Sequence, residues 1–295
     1  MMIDEFEVRP LEEGDEDLIE RNVNEYADSK APAEPHTEDE TLVFRASDGE
    51  GALAGGCILH VHRWGRAVLA ALWVDEKLRG RGLGSMLIRE AERAAREKGC
   101  YYLCLGTMDF MARPLYEKHG FELFTLTRDY PRGHEAYSLS KRLDRAAPDY
   151  VPTHNGAPAL YTIEPGSGED RKAIGDGLGA YCERFVTDAH DDIDVGKKLV
   201  DADGRMIAGV CAQVSGWDVL ELDFVWVDES CRGRGLASHL LREVEREAKE
   251  KGAYVSLTNC VDWTLGFFDK QGYAPCGTLR DYPRGHEAYE LEKRF

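Results

Sequence analysis

Apolar and polar positions alternate along this chain in a pattern that occurs twice. Leu83, Met86, Leu87, Ala91, Ala94 and Ala95 recur at helical spacing, and the run stops at Lys98-Gly99, a C-terminal cation followed by a glycine. A second such run, Leu236, Leu240, Val244 and Ala248, stops at Lys251-Gly252. Short apolar stretches such as Ala67–Val74 and Val219–Val227 precede the two helices and predict strands, and Asp48-Gly49 and Asp203-Gly204 mark turns between earlier ones. A shorter helix is expected around Leu115–Lys118, ending at His119-Gly120, and another over Phe267–Gln271 before Gly272. Each half thus predicts a strand, a helical segment, three strands, a helix, a strand, a helix and a closing hairpin.

The halves align with a shift of 152 to 155 residues. Phe6–Pro10 matches Tyr161–Pro165, and Leu72-Trp73-Val74-Asp75-Glu76 matches Val225-Trp226-Val227-Asp228-Glu229. The string Arg-Asp-Tyr-Pro-Arg-Gly-His-Glu-Ala-Tyr occurs unchanged at Arg128–Tyr137 and Arg280–Tyr289. Similarity over whole halves points to duplication: residues 1–144 form one domain, 145–159 a linker carrying Pro148, Pro152, Gly156 and Pro158, and 160–295 the second domain.

Composition narrows the partners. A formal charge of −18 argues against nucleic acid, which needs a basic surface, and fits a cationic small acceptor better. The longest apolar run is too short to cross a bilayer. Met1-Met2-Ile3-Asp4-Glu5 lacks the basic-then-apolar pattern of a secretory signal, so a cytoplasmic protein is expected. The eight cysteines show no Cys-x-x-Cys pair and no Cys/His ligand spacing; reduced, structural cysteines and no metal are expected.

The candidate chemistry starts at the turn after each apolar strand. Arg79-Gly80-Arg81-Gly82-Leu83-Gly84 and Arg232-Gly233-Arg234-Gly235-Leu236-Ala237 each lead into a helix, where consecutive backbone N–H groups at its positive end suit a pyrophosphate. Neither is a Walker A loop nor a dinucleotide fingerprint. The Arg-x-x-Gly-x-Gly/Ala signature resembles that of the GCN5-related N-acetyltransferase (GNAT) superfamily. So do the strand Leu69–Val74, the run Thr107–Phe121 with its Ala…Tyr-Glu-Lys-x-Gly-Phe pattern, and the closing segment through Leu143. The resemblance covers about 140 residues in each half.

That resemblance implies an α/β fold with two tandem GNAT domains, each a mixed, mostly antiparallel sheet flanked by helices, the two packed as a pseudo-dimer within one chain or assembled as a homodimer. It implies acetyl-CoA as cofactor and direct acyl transfer to the primary amine of a small molecule. Residues Arg79–Gly84 and Arg232–Ala237 would hold the pyrophosphate. Main-chain groups of Trp73 and Val74, and of Trp226 and Val227, would hold the pantetheine arm in a gap between splayed strands. Tyr116 aligns with the family's frequent general acid, and its counterpart is Phe268, which cannot donate a proton. Glu221 falls about where some members place a catalytic carboxylate; it shares a strand face with Asp223, opposite Val68 and Ala70 in the first half. The first half is therefore expected to be the active one. His134 and His286 in the repeated string fit hairpin shape or chemistry, and His60 and His62 lie on or near a strand facing the acceptor side. Two other readings stay open: a CoA-binding regulatory or scaffold protein with both halves degenerate, and a protein N-acetyltransferase.

Overall fold

The computed structural model describes residues 6–34, 37, 39–145 and 161–295, so the expected linker lies, apart from Arg145, outside the described residues. The first repeat runs β1 (Glu7–Pro10), α1 (Asp15–Lys30), β2 (Glu40–Ser47), β3 (Leu53–His62), β4 (Arg66–Val74), α2 (Leu83–Glu97), β5 (Tyr102–Met108), α3 (Arg113–Lys118), β6 (Glu122–Arg128) and β7 (Glu135–Arg142). The second repeat gives β8 (Thr162–Pro165), α4 (Gly168–Cys182), a two-residue β9 (Ile193–Asp194), β10 (Lys197–Val200), β11 (Met206–Ser215), β12 (Val219–Val227), α5 (Leu236–Glu250), β13 (Val255–Val261), α6 (Asp262–Lys270), β14 (Ala274–Arg280) and β15 (Glu287–Arg294). The order is the one the periodicity predicts, with β9 added.

Compactness divides the chain differently from the repeat. One unit is Ala33–Thr187; the other joins Met1–Pro32 to Asp188–Phe295. Each repeat's first strand and helix therefore belong to the unit built on the other repeat. In the Ala33–Thr187 unit, β8 pairs antiparallel with β2, and the order continues β3, β4, β5, β7, β6. In the other unit, β1 takes the corresponding edge beside β10, followed by β11, β12, β13, β15 and β14. The β4–β5 and β12–β13 pairs are parallel and the other ladders within each unit antiparallel among the described residues, which makes each sheet mixed and mostly antiparallel.

The amphipathic faces explain the packing. On α2, Leu83, Leu87, Ile88, Ala91, Ala94 and Ala95 are buried against the strands, with Tyr161 and Ile163 from the β8 segment at the margin of the same core. On α5, Leu236, Leu240, Leu241, Val244 and Ala248 do the same. The opposite sheet faces take the exchanged helices. Ile174 of α4 is fully buried where β3 carries Gly56; a Cβ there would lie 2.3 Å from the Ile174 Cδ1 atom and 2.6 Å from the Phe44 carbonyl. Ile19 of α1 fills the same space over Gly209 of β11, 2.2 Å from where a Cβ would stand. The absent side chain makes room for the helix.

None of the eight cysteines is paired in a disulfide, and burial pushes the Cys57, Cys211 and Cys260 thiols up to about 12, as expected of inert core cysteines. Among the described residues, no helix is long and apolar enough to cross a membrane.

The end of α3 carries a buried titratable group. His119 is 3% exposed, and burial, then Arg89 and Lys141, lower it from 6.5 to about 4. Between those values the unfolded chain binds a proton that the folded chain refuses, so this residue's stability is whole above pH 6.5 and is lost as pH falls toward 4, by about 3 kcal/mol at most. The second repeat places Gln271 there, its amide donating to Ser238 Oγ at 3.0 Å. His119→Gln is therefore expected to flatten the acid-side fall in urea-unfolding stability from pH 7 to pH 4.5. An equal fall in both proteins would remove His119 as its source.

Candidate active site

The two glycine-rich turns share one construction. After β4, Asp75 caps a single 3₁₀ turn, its carboxylate accepting from the Lys77 N–H at 2.9 Å. The backbone then passes through Gly80 (φ 75°) and Gly82 (φ 88°) into α2. Those left-handed values are cheap only for glycine. No side chain caps α2, and nothing lies within 4 Å of where a Cβ would stand on Gly80 or Gly82. The second turn repeats this through Asp228, Gly233 (φ 76°) and Gly235 (φ 79°). An uncapped helix N-terminus with open space above it fits a pyrophosphate group. Leu83 and Leu236 point into the cores, so only their main chains can face a ligand. Gly84 would bring a Cβ 3.3 Å from Leu115, a distance a small shift relieves, and the second repeat indeed carries Ala237.

The arginines opening the turns are each tied to the preceding strand and to an aromatic ring. Arg79 Nε donates to the Val74 carbonyl at 3.1 Å, and its guanidinium lies 4.7 Å from the centre of the Tyr181 ring. Arg232 Nε donates to the Val227 carbonyl at 3.2 Å and lies 4.5 Å from the Tyr26 ring.

Beside each turn the sheet opens. The β4–β5 ladder covers only Arg66–Val68 with Tyr102–Cys104, and the β12–β13 ladder only Val219–Glu221 with Val255–Leu257. Beyond these pairs the parallel strands part, leaving Trp73 and Val74, or Trp226 and Val227, on an edge able to hold an extended ligand. Register shifts place bulges at Ala70 and Asp223, matching positions of the repeats. Trp73 is covered on one side by α4, where a Cβ on Gly177 would lie 2.5 Å from the indole.

Tyr116 lies on α3, directly after the Leu115 that touches the turn. It is 8% exposed, stands edge-on to Phe121 at 6.1 Å, and its hydroxyl has no hydrogen-bond partner among the described residues. Burial, then Cys57, pushes its phenol up to about 12, so it is protonated throughout the physiological range. Phe268 occupies the matching place in the second repeat, packed on Phe267 and Tyr273. Tyr273 does not replace the lost hydroxyl: it is buried, and its oxygen shares a 2.8 Å hydrogen bond with Ser256 inside the core.

Glu221 and Asp223 stand on the strand face opposite the buried Leu220 and Leu222. Glu221 accepts from Gln213 Nε2 at 3.1 Å. The Asp223 carboxyl is raised by desolvation, then by Glu221 and by Glu16 of α1. They belong to a different compact unit from Tyr116. The repeated histidines have a partner the sequence reading did not supply. His134 Nδ1 lies 3.0 Å from Asp109, just after β5, and His286 Nδ1 lies 3.0 Å from Asp262. Both rings are edge-on to an aromatic, Phe110 and Trp263. His60 bonds Thr41 Oγ1 at 2.9 Å and is lowered by burial and Arg171, while His62 is lowered to about 4, first by burial.

Sequence reasoning also missed Tyr181 and Phe185. The Tyr181 hydroxyl donates to the Phe110 carbonyl at 3.0 Å, and Phe185 stacks on Phe110 at 4.7 Å. The signal was present in Tyr26 and Tyr181, which hold matching positions in the first helices of the repeats.

With this geometry in view, the comparisons with known proteins are consistent. The model of the acetyltransferase (GNAT) family matches residues 4–121 and 175–273. Blasticidin-S acetyltransferase from Streptomyces morookaense is 44% identical over 105 residues, covering 35% of this chain and 76% of the relative. Acetyltransferase Atu2258 from Agrobacterium fabrum is 31% identical over 132 residues, 43% of this chain and 92% of the relative. A crystal structure of an acetyltransferase from Bacillus cereus is 32% identical, with a TM-score of 0.44, covering 45% of this chain and 97% of that one. The chain belongs to the GNAT acetyltransferase family, in a tandem form. It is an N-acetyltransferase, and its cofactor is acetyl-CoA.

Proposed function

We propose that the protein transfers the acetyl group of acetyl-CoA to the primary amine of a small molecule, and that the site lined by Arg79–Gly84 and Tyr116 does the work. The observation that carries this is the asymmetry at one position: a buried tyrosine on α3, whose hydroxyl has no partner among the described residues, against Phe268 on α6. Similarity to a blasticidin-S acetyltransferase supports a small acceptor, and the net charge of −18 supports a cationic one.

Acetyl-CoA supplies the thioester when bound. The backbone N–H groups of Gly80–Gly84 would hold its diphosphate, and the free edge of β4 at Trp73 and Val74 would align its arm. Tyr116 Oη would hold the proton to be donated to the leaving thiolate. No carboxylate stands on β4 where Glu221 stands on β12, so the ammonium of the acceptor loses its proton to water. In the second repeat Glu221 and Asp223 lack a proton donor at Phe268, and that site is degenerate.

The test is CoA-thiol release by the full chain with blasticidin S, polyamines, amino acids and N-terminal peptides. Release above the acetyl-CoA hydrolysis background with a small amine is expected. Release with peptides alone would make the acceptor a protein. Acetyl-CoA binding without release on any amine would favour the regulatory reading.

A further inference from the structure

The exchange of first helices reaches the cofactor turns themselves. In the Ala33–Thr187 unit, Arg79 gathers three elements: its Nε binds the last carbonyl of β4, its backbone opens the glycine turn, and its guanidinium lies on the Tyr181 ring of α4. Tyr181 in turn donates to the Phe110 carbonyl in the turn just after β5, on the other side of the strand gap. Arg184 of the same segment meets Glu76 at 3.3 Å, an exposed pair worth little. The second unit repeats the clamp with the roles of the repeats reversed: Arg232 binds Val227 O and lies over Tyr26 of α1. The helices come to these places because α4 packs on β3 and β4, and α1 on β11 and β12.

A turn with two left-handed glycines has many conformations to lose on binding an anion, and a brace that orders it beforehand reduces that cost. A guanidinium held over an aromatic ring and tied to a strand carbonyl is such a brace, since the group loses little further freedom. We propose that each coenzyme A turn is held in its binding form by the first helix of the other repeat, with Tyr181 the positioning residue for Arg79–Gly84 and Tyr26 the positioning residue for Arg232–Ala237. Neither repeat alone then contains a complete site. This rests on the reading that the glycine turns hold coenzyme A.

The experiment is calorimetric titration of the full chain with CoA, in a Gly235→Val background that leaves the first turn as the intact one. Tyr181→Ala is expected to weaken binding about 3- to 10-fold, and Tyr181→Phe, which keeps the ring, to restore most of it. Circular dichroism checks that each variant folds. Unchanged affinity in Tyr181→Ala, or a loss produced by Tyr26→Ala instead, would overturn the crossed assignment. A folded Gly235→Val chain that binds no CoA would overturn the reading of the first turn, and this inference with it.

Discussion

Tyr116→Phe is expected to lower kcat by about 100-fold or more while KM for acetyl-CoA stays near the wild-type value. The substitution removes one oxygen from a buried ring that keeps its edge contact with Phe121, so packing is preserved. Phenylalanine already fills the equivalent site at Phe268, which shows that the fold accepts it. What disappears is a proton donor that burial keeps protonated up to about pH 12. The plateau of kcat should therefore show no Tyr116 ionisation in the neutral range. A full-length pH–rate profile of both proteins checks this; a Tyr116→Phe enzyme with unchanged kcat would take the residue out of the mechanism.

The second large effect is structural and crossed. Ile174→Ala should cost about 2–5 kcal/mol, because a fully buried side chain is removed from the space that Gly56 leaves on β3. The loss should appear as faster amide hydrogen exchange in β3, at Leu53–His62, which belongs to the first repeat although Ile174 belongs to the second. Ile19→Ala should do the same to β11, at Met206–Ser215. Faster exchange in β11 after Ile174→Ala would mean that each helix covers its own repeat.

The exchange shows where the sequence stopped being informative. Periodicity located β12 at its observed limits and α2 and α5 to within a residue, since those depend on local alternation and on Lys-Gly stops. It could not say which sheet a helix covers. Ile19 and Ile174 are equivalent, as are Gly56 and Gly209, so own and exchanged pairings satisfy the same pattern. The glycine turns were legible because positive φ demands glycine at Gly82 and Gly235. Tyr181 and Phe185 were not, because their contacts with Arg79 and Phe110 join residues distant in the chain. The repeated Tyr-Pro-Arg-Gly-His string marked the hairpins, but the aspartates that bind its histidines lie just after β5 and at the start of α6, outside the string.

The central claim, that catalysis runs from the turn at Arg79–Gly84, is tested most directly by CoA-thiol release from Gly82→Val beside Gly235→Val, using the best acceptor of the amine panel. Valine is strained at both left-handed positions and closes one turn at a time. Loss of release in Gly82→Val, with release kept in Gly235→Val, is the predicted result. Release that survives in Gly82→Val and disappears in Gly235→Val would contradict it.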